Sequence, residues 1–148
     1  MPLLFFETLI LLVKAVFIRR RGSACLRLPT VAKAAISADK RQSLVAHVNR
    51  LTNLVAGKSR HACWYRCYPL VVLLRKRGVA AQLNIGLMGL QPRQELRGHC
   101  WLSLESQVFN ELDDVSSAAY PEFLGDNGFG AAYWVKAGQG QYVSRKFG

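Results

Sequence analysis

Apolar positions open the chain. From Leu3 to Ile18 they run almost unbroken, interrupted by Glu7, Thr8 and Lys14, and three arginines, Arg19 to Arg21, close the run. Glu7 and Lys14 are seven positions apart and share one helix face, which predicts a helix whose remaining surface is buried. The positive charge follows the apolar stretch, the reverse of a secretory signal. The stretch is also shorter than the roughly 20 apolar residues that span a bilayer. The expected setting is cytoplasmic, with this helix packed on the domain or on a partner; contact of residues 1–21 with a membrane surface is the less favoured reading.

Further along, Gly22 to Thr30 reads as a loop, since Pro29 disfavours helix at Leu28. Ser37 or Asp39 is placed to cap a second helix with Leu44, Val48, Leu51 and Val55 as one buried stripe, ending at Gly57. Ser59 is the expected cap of a third helix that ends at Arg75-Lys76-Arg77-Gly78, cations in its last turn and glycine just beyond. The period then changes. Ala81, Leu83, Ile85 and Leu87 alternate with Gln82, Asn84 and Gly86, the pattern of a half-buried strand within Val79–Leu87. Gly89 to Gly98, with Pro92, is a loop; His99 to Glu105 is a second strand; Ser106-Gln107 is a tight turn, and Val108 to Glu111 is the hairpin partner. Short strands are predicted at Ala132 to Val135 and near Tyr142. Helices first and a small antiparallel sheet after them define an α+β class. The 148 residues make one domain, a basic helical front over 1–60 and a core over 61–148.

Composition narrows the classes. A hydrophobic fraction of 51% excludes disorder, and four cysteines are too few for a disulfide scaffold. The net charge of +11 is uneven: residues 1–60 carry +9, residues 61–97 carry +5 and residues 98–148 carry −3. A basic front suits an anionic partner. Nucleic acid is disfavoured, because the basic residues are not interleaved with aromatics and no zinc finger, recognition helix or ribonucleoprotein motif is present.

Cys63 and His99 are the residues that suggest chemistry. A thiol and an imidazole are the minimal nucleophile–base pair. Cys63 lies near the expected start of the third helix, where unpaired N–H groups lower a thiol pKa and stabilise an oxyanion. His99 opens the second strand, and Glu111, at the end of its hairpin partner, lies roughly opposite and can orient it; Asn110, Asp113 and Asp114 are nearby substitutes. His61 is a rival base, but two positions from Cys63 on a helix it faces elsewhere. A zinc site from Cys63, Cys67, His61, His99 and Cys100 is disfavoured, since His99 and Cys100 point to opposite faces of a strand. Cys25 has no evident partner, His47 reads as surface, and Trp101 as core.

Cys63-Trp64-Tyr65-Arg66-Cys67, then Leu70 and Leu73-Leu74-Arg75-Lys76-Arg77-Gly78-Val79, resembles the pattern Cys-Leu-x-Arg-Ser, aliphatic helix, Arg-Arg-Gly-Ile/Val. His99-Cys100-Trp101-Leu102 resembles His-Ala-Trp-Val/Leu. Over about residues 60–111 the chain is similar to the transglutaminase-like cysteine proteases that remove the leader peptide in lasso-peptide biosynthesis, related to the microcin-processing protein. The resemblance implies a papain-like fold and a triad of Cys63 as nucleophile, His99 as base and Glu111 as acid. It further implies a precursor peptide as substrate, a separate leader-recognition protein and a lasso cyclase as partners. Hydrolysis by such a triad needs no cofactor, while the need for a nucleotide in maturation is not written in these residues.

Glu111 stands where Asp is usual, which keeps Asp113 in play, and Trp64 and Cys67 replace Leu and Ser. Pro69 would cost about 3 kcal/mol inside a helix unless the helix kinks. A helix starting near Tyr68 would place Cys67, not Cys63, at its N-terminus; the spacing from Cys63 to Arg66 and Gly78 favours Cys63. Two other readings stay open on the residues: an acyl-transfer enzyme, in which an amine intercepts the thioester, and a non-catalytic binding module that uses the basic face for an acidic protein or nucleic acid.

Overall fold

The run Leu70-Val71-Val72-Leu73-Leu74 is apolar on every side of a helix, so it must be buried all round, and the fold is arranged to do that. The computed structural model describes residues 2–21, 26–57, 59, 61–88, 97–105, 107–109 and 122–124. Three helices, α1 (Pro2–Arg21), α2 (Ala38–Ala56) and α3 (Ala62–Lys76), precede the strands β1 (Gln82–Met88), β2 (Arg97–Leu104), β3 (Gln107–Phe109) and β4 (Glu122–Leu124). The strands form one antiparallel sheet in the order β3-β2-β1-β4. Helix α3 packs against α1, α2 and the β1–β2 pair. This is the α+β architecture that the hydrophobic pattern predicts.

The second helix turns differently from the expected stripe. Leu44, Val48 and Thr52 are its buried residues, whereas Leu51 is half-buried and Val55 is 64% exposed. The reason lies in α3. Helix α3 continues through Pro69, which has no N–H for the carbonyl of Tyr65 four residues back. The buried Thr52 hydroxyl donates to that carbonyl at 3.4 Å, a long bond to an acceptor the proline leaves short of a donor. Ser37 takes the N-cap position of α2 without a side-chain capping bond.

The end of α3 is fixed by backbone. Gly78 N–H donates to Arg75 O at 3.1 Å and Val79 N–H to Leu74 O at 3.0 Å, the Schellman pattern, with Gly78 at φ +76°. A Cβ on Gly78 would lie 2.2 Å from the Ala34 carbonyl oxygen, because residues 32–36 cross this end: Ala32 N–H donates to Arg75 O and Ile36 N–H to Arg77 O. The basic residues here are structural. Arg75 donates to Pro29 O and Ala81 O, and Lys76 and Arg77 pair with Glu7 of α1 at 3.0 and 2.9 Å. Glu7 therefore leans onto α3 and does not share a solvated face with Lys14, which is exposed. Burial works to raise the Glu7 pKa, but hydrogen bonds from Arg77 and Lys76 and their charges hold it below its ordinary value.

In the sheet, Leu83 pairs with Leu102 and Ile85 with Cys100 on the face against α3, while Asn84 pairs with Trp101 and Gly86 with His99 on the other. Trp101 is buried on that second face, a core residue as expected. Leu104 pairs with Gln107, so Gln107 belongs to β3 and the turn sits one residue earlier than the sequence suggests, with Glu105 at φ 50°. A two-residue hairpin loop of the twist-matched kind needs such a positive φ. The sequence pattern gives no sign of β4, which borders β1. The predicted strands at Ala132–Val135 and near Tyr142, the loop at 89–96 and Cys25 lie outside the described residues.

The Thr52–Pro69 relation is open to a double-mutant cycle. Thr52→Val is expected to cost about 1 kcal/mol in urea unfolding on the wild-type background, the worth of one hydrogen bond. In Pro69→Ala, where residue 69 regains an N–H for Tyr65, the same substitution is expected to cost less than half of that. Equal costs on both backgrounds would sever the link between the two residues.

Candidate active site

Helix α3 begins where the thiol chemistry needs it to. His61 is its N-cap residue, at φ −113° and ψ 19°, and Cys63 is the second residue of the helix proper. Ser59 does not cap the helix. Its hydroxyl accepts from His61 N–H at 3.2 Å and its carbonyl accepts from Ala62 N–H at 2.9 Å, which shapes the turn that leads in. Cys67 lies one turn deeper and is buried, so the thiol in the first turn is that of Cys63. Trp64 anchors this end of the helix: its Nε1–H donates to Ala15 O of α1 at 2.9 Å and its ring stacks on Tyr68 at 5.4 Å. Arg66 reaches across to Asn53 of α2 at 3.0 Å.

The partly buried Cys63 meets β2 at its start. The Cys100 thiol does most to lower the Cys63 pKa; burial works against it; the His99 hydrogen bond, the Cys100 backbone and the charge of His99 add to the lowering, which brings the thiol to about 4. His99 and Cys100 keep opposite faces of β2, yet both side chains lower the Cys63 pKa. Alternation fixes where Cβ atoms point, and an imidazole reaches far enough past its own Cβ to meet a group at the end of a helix. His99 is buried, stacked on Trp101 with ring centroids 5.7 Å apart and an 18° interplanar angle. Its cross-strand neighbour is Gly86, which has no side chain to compete for the space.

Three thiols converge at this point. Cys100, which is buried, has its pKa pushed well above the ordinary value by burial first and by the Cys63 and Cys67 thiols after it. The Cys67 thiol donates to the Cys100 carbonyl at 3.3 Å. Sequence reasoning gave Cys100 no chemical role beyond the rejected zinc reading and counted it otherwise only as a position in the His99-to-Leu102 motif. The signal was present nonetheless, since alternation with Leu102 puts Cys100 on the face that meets α3. Among the described residues, no group of three or more His, Cys, Asp or Glu is arranged to hold a metal ion. Glu111, Asp113, Asn110 and Asp114 lie outside the described residues. His61 is the N-cap of α3, and His47 is half-buried on α2.

A thiol at a helix N-terminus joined to a histidine on an antiparallel sheet is the arrangement of papain-like thiol enzymes. The sequence pattern of the transglutaminase-like superfamily matches residues 8–121, and the chain belongs to that superfamily. Its fold is commonly that of cysteine peptidases and transglutaminases. Comparisons with curated proteins and with solved structures return no match. No described helix is long and apolar enough to cross a membrane.

The low Cys63 pKa has a direct consequence. Thiolate, not thiol, is the species alkylated, so Cys63 of the folded chain is expected to react with iodoacetamide at a rate already on its plateau at pH 6, where a thiol with a pKa of about 8.5 is almost wholly protonated. Cys67 and Cys100, both buried, are expected to stay unlabelled. A rate that climbs steadily to pH 8 and beyond would contradict the site as described.

Proposed function

We propose that the chain is a cysteine peptidase that removes the leader from a ribosomally made lasso-peptide precursor, with Cys63 as nucleophile and His99 as its acid–base partner. The observation that carries this reading is the place of the Cys63 thiol in the first turn of α3, where the His99 side chain of β2 helps to lower its pKa. At neutral pH the Cys63 proton is already off the sulfur. The thiolate attacks the scissile carbonyl, and the positive end of α3 steadies the oxyanion. His99 then protonates the leaving amine, which becomes the new N-terminus of the core peptide. The leader stays behind as a thioester on Cys63. Water, deprotonated by His99, hydrolyses that thioester; an amine in its place would make the same intermediate a transfer reaction. Glu111 is the residue we assign to orient His99, with Asp113 as the substitute.

The leader specificity draws on the Cys63-to-Gly78 and His99-to-Leu102 motifs, and a surface feature supports it. Helix α1 buries Thr8, Leu11, Leu12, Ala15 and Ile18 but exposes Leu3, Phe5, Phe6, Leu9, Ile10, Val13 and Phe17. Within that set Leu3, Phe6, Ile10, Val13 and Phe17 follow a three-four spacing, the kind of seam that receives another helix. Lys14, Arg20 and Arg21 are exposed on the same helix and suit an acidic leader. In this reading the seam receives the leader-recognition protein, the lasso cyclase acts on the released core, and the setting is the cytoplasm.

Mass spectrometry of a precursor peptide incubated with its recognition protein and this chain tests both parts. Cys63→Ala and His99→Ala are each expected to lower leader release by about a thousandfold or more, and Cys67→Ala by far less. Deleting residues 1–21 would strip the core, so the seam is probed in place: Phe6→Ser with Ile10→Ser is expected to slow cleavage about tenfold, one interface anchor's worth, with alkylation of Cys63 unchanged. Leader release by Cys63→Ala at the wild-type rate would sink the thiol mechanism. A seam variant as fast as wild type would remove α1 as the docking surface.

A further inference from the structure

The proposed reaction turns on His99, and the sheet around it shows what holds that ring. Cys67 Sγ donates to the Cys100 carbonyl at 3.3 Å, which pins α3 to the start of β2. Cys63 is one turn from that contact on the helix, and His99 is the residue before it on the strand. A strand does not set the plane of an imidazole by itself, since the second side-chain torsion of histidine has a broad, two-fold profile. Across the ladder His99 faces Gly86, which offers no side chain. Along its own strand Trp101 stands two positions on, on the same face. Strand geometry sets such neighbours roughly 6.7 Å apart, whereas the two ring centroids are 5.7 Å apart with 18° between the planes. The rings therefore lean together into a stack. The cross-strand partner of Trp101 is Asn84, whose amide donates to Ser103 Oγ at 3.0 Å; that hydroxyl donates in turn to Gln82 Oε1 at 3.4 Å. Ser103, Asn84, Trp101 and His99 are all buried, and a close-packed row of this kind holds its rotamers.

We propose that Trp101 is a positioning residue for His99, its indole fixing the plane in which the imidazole is presented at the start of β2. A near-parallel pair at this separation falls in the range of roughly 4.5–7 Å that aromatic rings favour. An imidazole turned edge-on to the indole forfeits that contact and opens a gap in a buried row. The indole stands on the face of the sheet turned away from α3, so it acts on the thiol only through His99. That the held ring serves the Cys63 thiolate rests on the proposed function; the stack itself does not. The plane matters there because His99 has two tasks, one at the sulfur and one at the leaving amine, and a displacement of about 1 Å between reacting groups can cost about a hundredfold in rate.

Alkylation of Cys63 by iodoacetamide is followed against pH in wild type, Trp101→Leu, Trp101→Phe, His99→Ala and Trp101→Leu combined with His99→Ala, each checked by circular dichroism to be folded. Trp101→Leu is expected to slow the reaction at pH 6 by about threefold or more and to lose the plateau there, because the thiolate loses the help of a fixed His99. Trp101→Phe keeps a flat ring and is expected to return most of the rate. In the His99→Ala chain Trp101→Leu is expected to change nothing further, the signature of a residue that acts through another. Trp101→Met takes the place of Trp101→Leu if the leucine variant does not fold. A folded Trp101→Leu with the wild-type profile overturns the proposal, and so does one that slows the His99→Ala chain by the same factor as wild type, since the indole would then be core alone. Against a precursor peptide Trp101→Leu is expected to lower kcat by about tenfold to a hundredfold with KM within about twofold of wild type. A wild-type chain that cleaves no precursor counts against the peptidase reading, while the alkylation cycle still decides the role of Trp101, so the two fail separately.

Discussion

Helix α3 is the constraint on which the rest of this molecule depends. From Trp64 to Leu74 every residue but Arg66 is buried, so α1, α2 and the sheet must between them cover it. The two ends of the helix are then fixed by different means. At the C-terminal end, Gly78 and the crossing segment 32–36 satisfy the last carbonyls, and Glu7 pairs with Lys76 and Arg77. At the N-terminal end a short turn from Ser59 delivers Cys63 into the first turn of the helix, and Trp64 ties that turn to α1. The chemistry is a by-product of this burial: a helix forced against β2 brings its first-turn thiol to His99 and Cys100.

Pro69 shows how such a helix tolerates a residue that ought to break it. The missing N–H leaves Tyr65 O short of a donor in a buried place, a cost of roughly 1–3 kcal/mol if unanswered. Thr52 answers from the neighbouring helix. That contact also explains why α2 buries a threonine where the hydrophobic pattern offers Val55. An adjustment in one helix is thus written as a polar residue in another, 17 positions earlier in the chain.

Much of this was legible in the sequence and part of it was not, for identifiable reasons. The apolar periods predict three helices and the start of a sheet, and the glycine after a run of cations fixes the end of α3. The hidden parts involve contacts between elements. The rotation of α2 follows from a single long-range hydrogen bond, the turn at Glu105 from hairpin twist, and β4 from pairing with no hydrophobic signature. The site behaves the same way. Cys63 is marked by its position at a helix start, whereas Cys100 is seen only when the strand's inward face is matched to the helix it meets. His99 and Cys100 converge on one sulfur because the helix end lies at the start of β2, a relation that alternation along one strand does not encode.

In the proposed mechanism the thiol in the first turn of α3, and not the one a turn deeper, is the reacting nucleophile. A peptidyl chloromethyl ketone carrying the last residues of the leader tests it, with the adduct located by mass mapping. A single adduct is expected, on Cys63, formed far more slowly after His99→Ala. An adduct on Cys67, or one on Cys63 at a rate indifferent to His99, would contradict it.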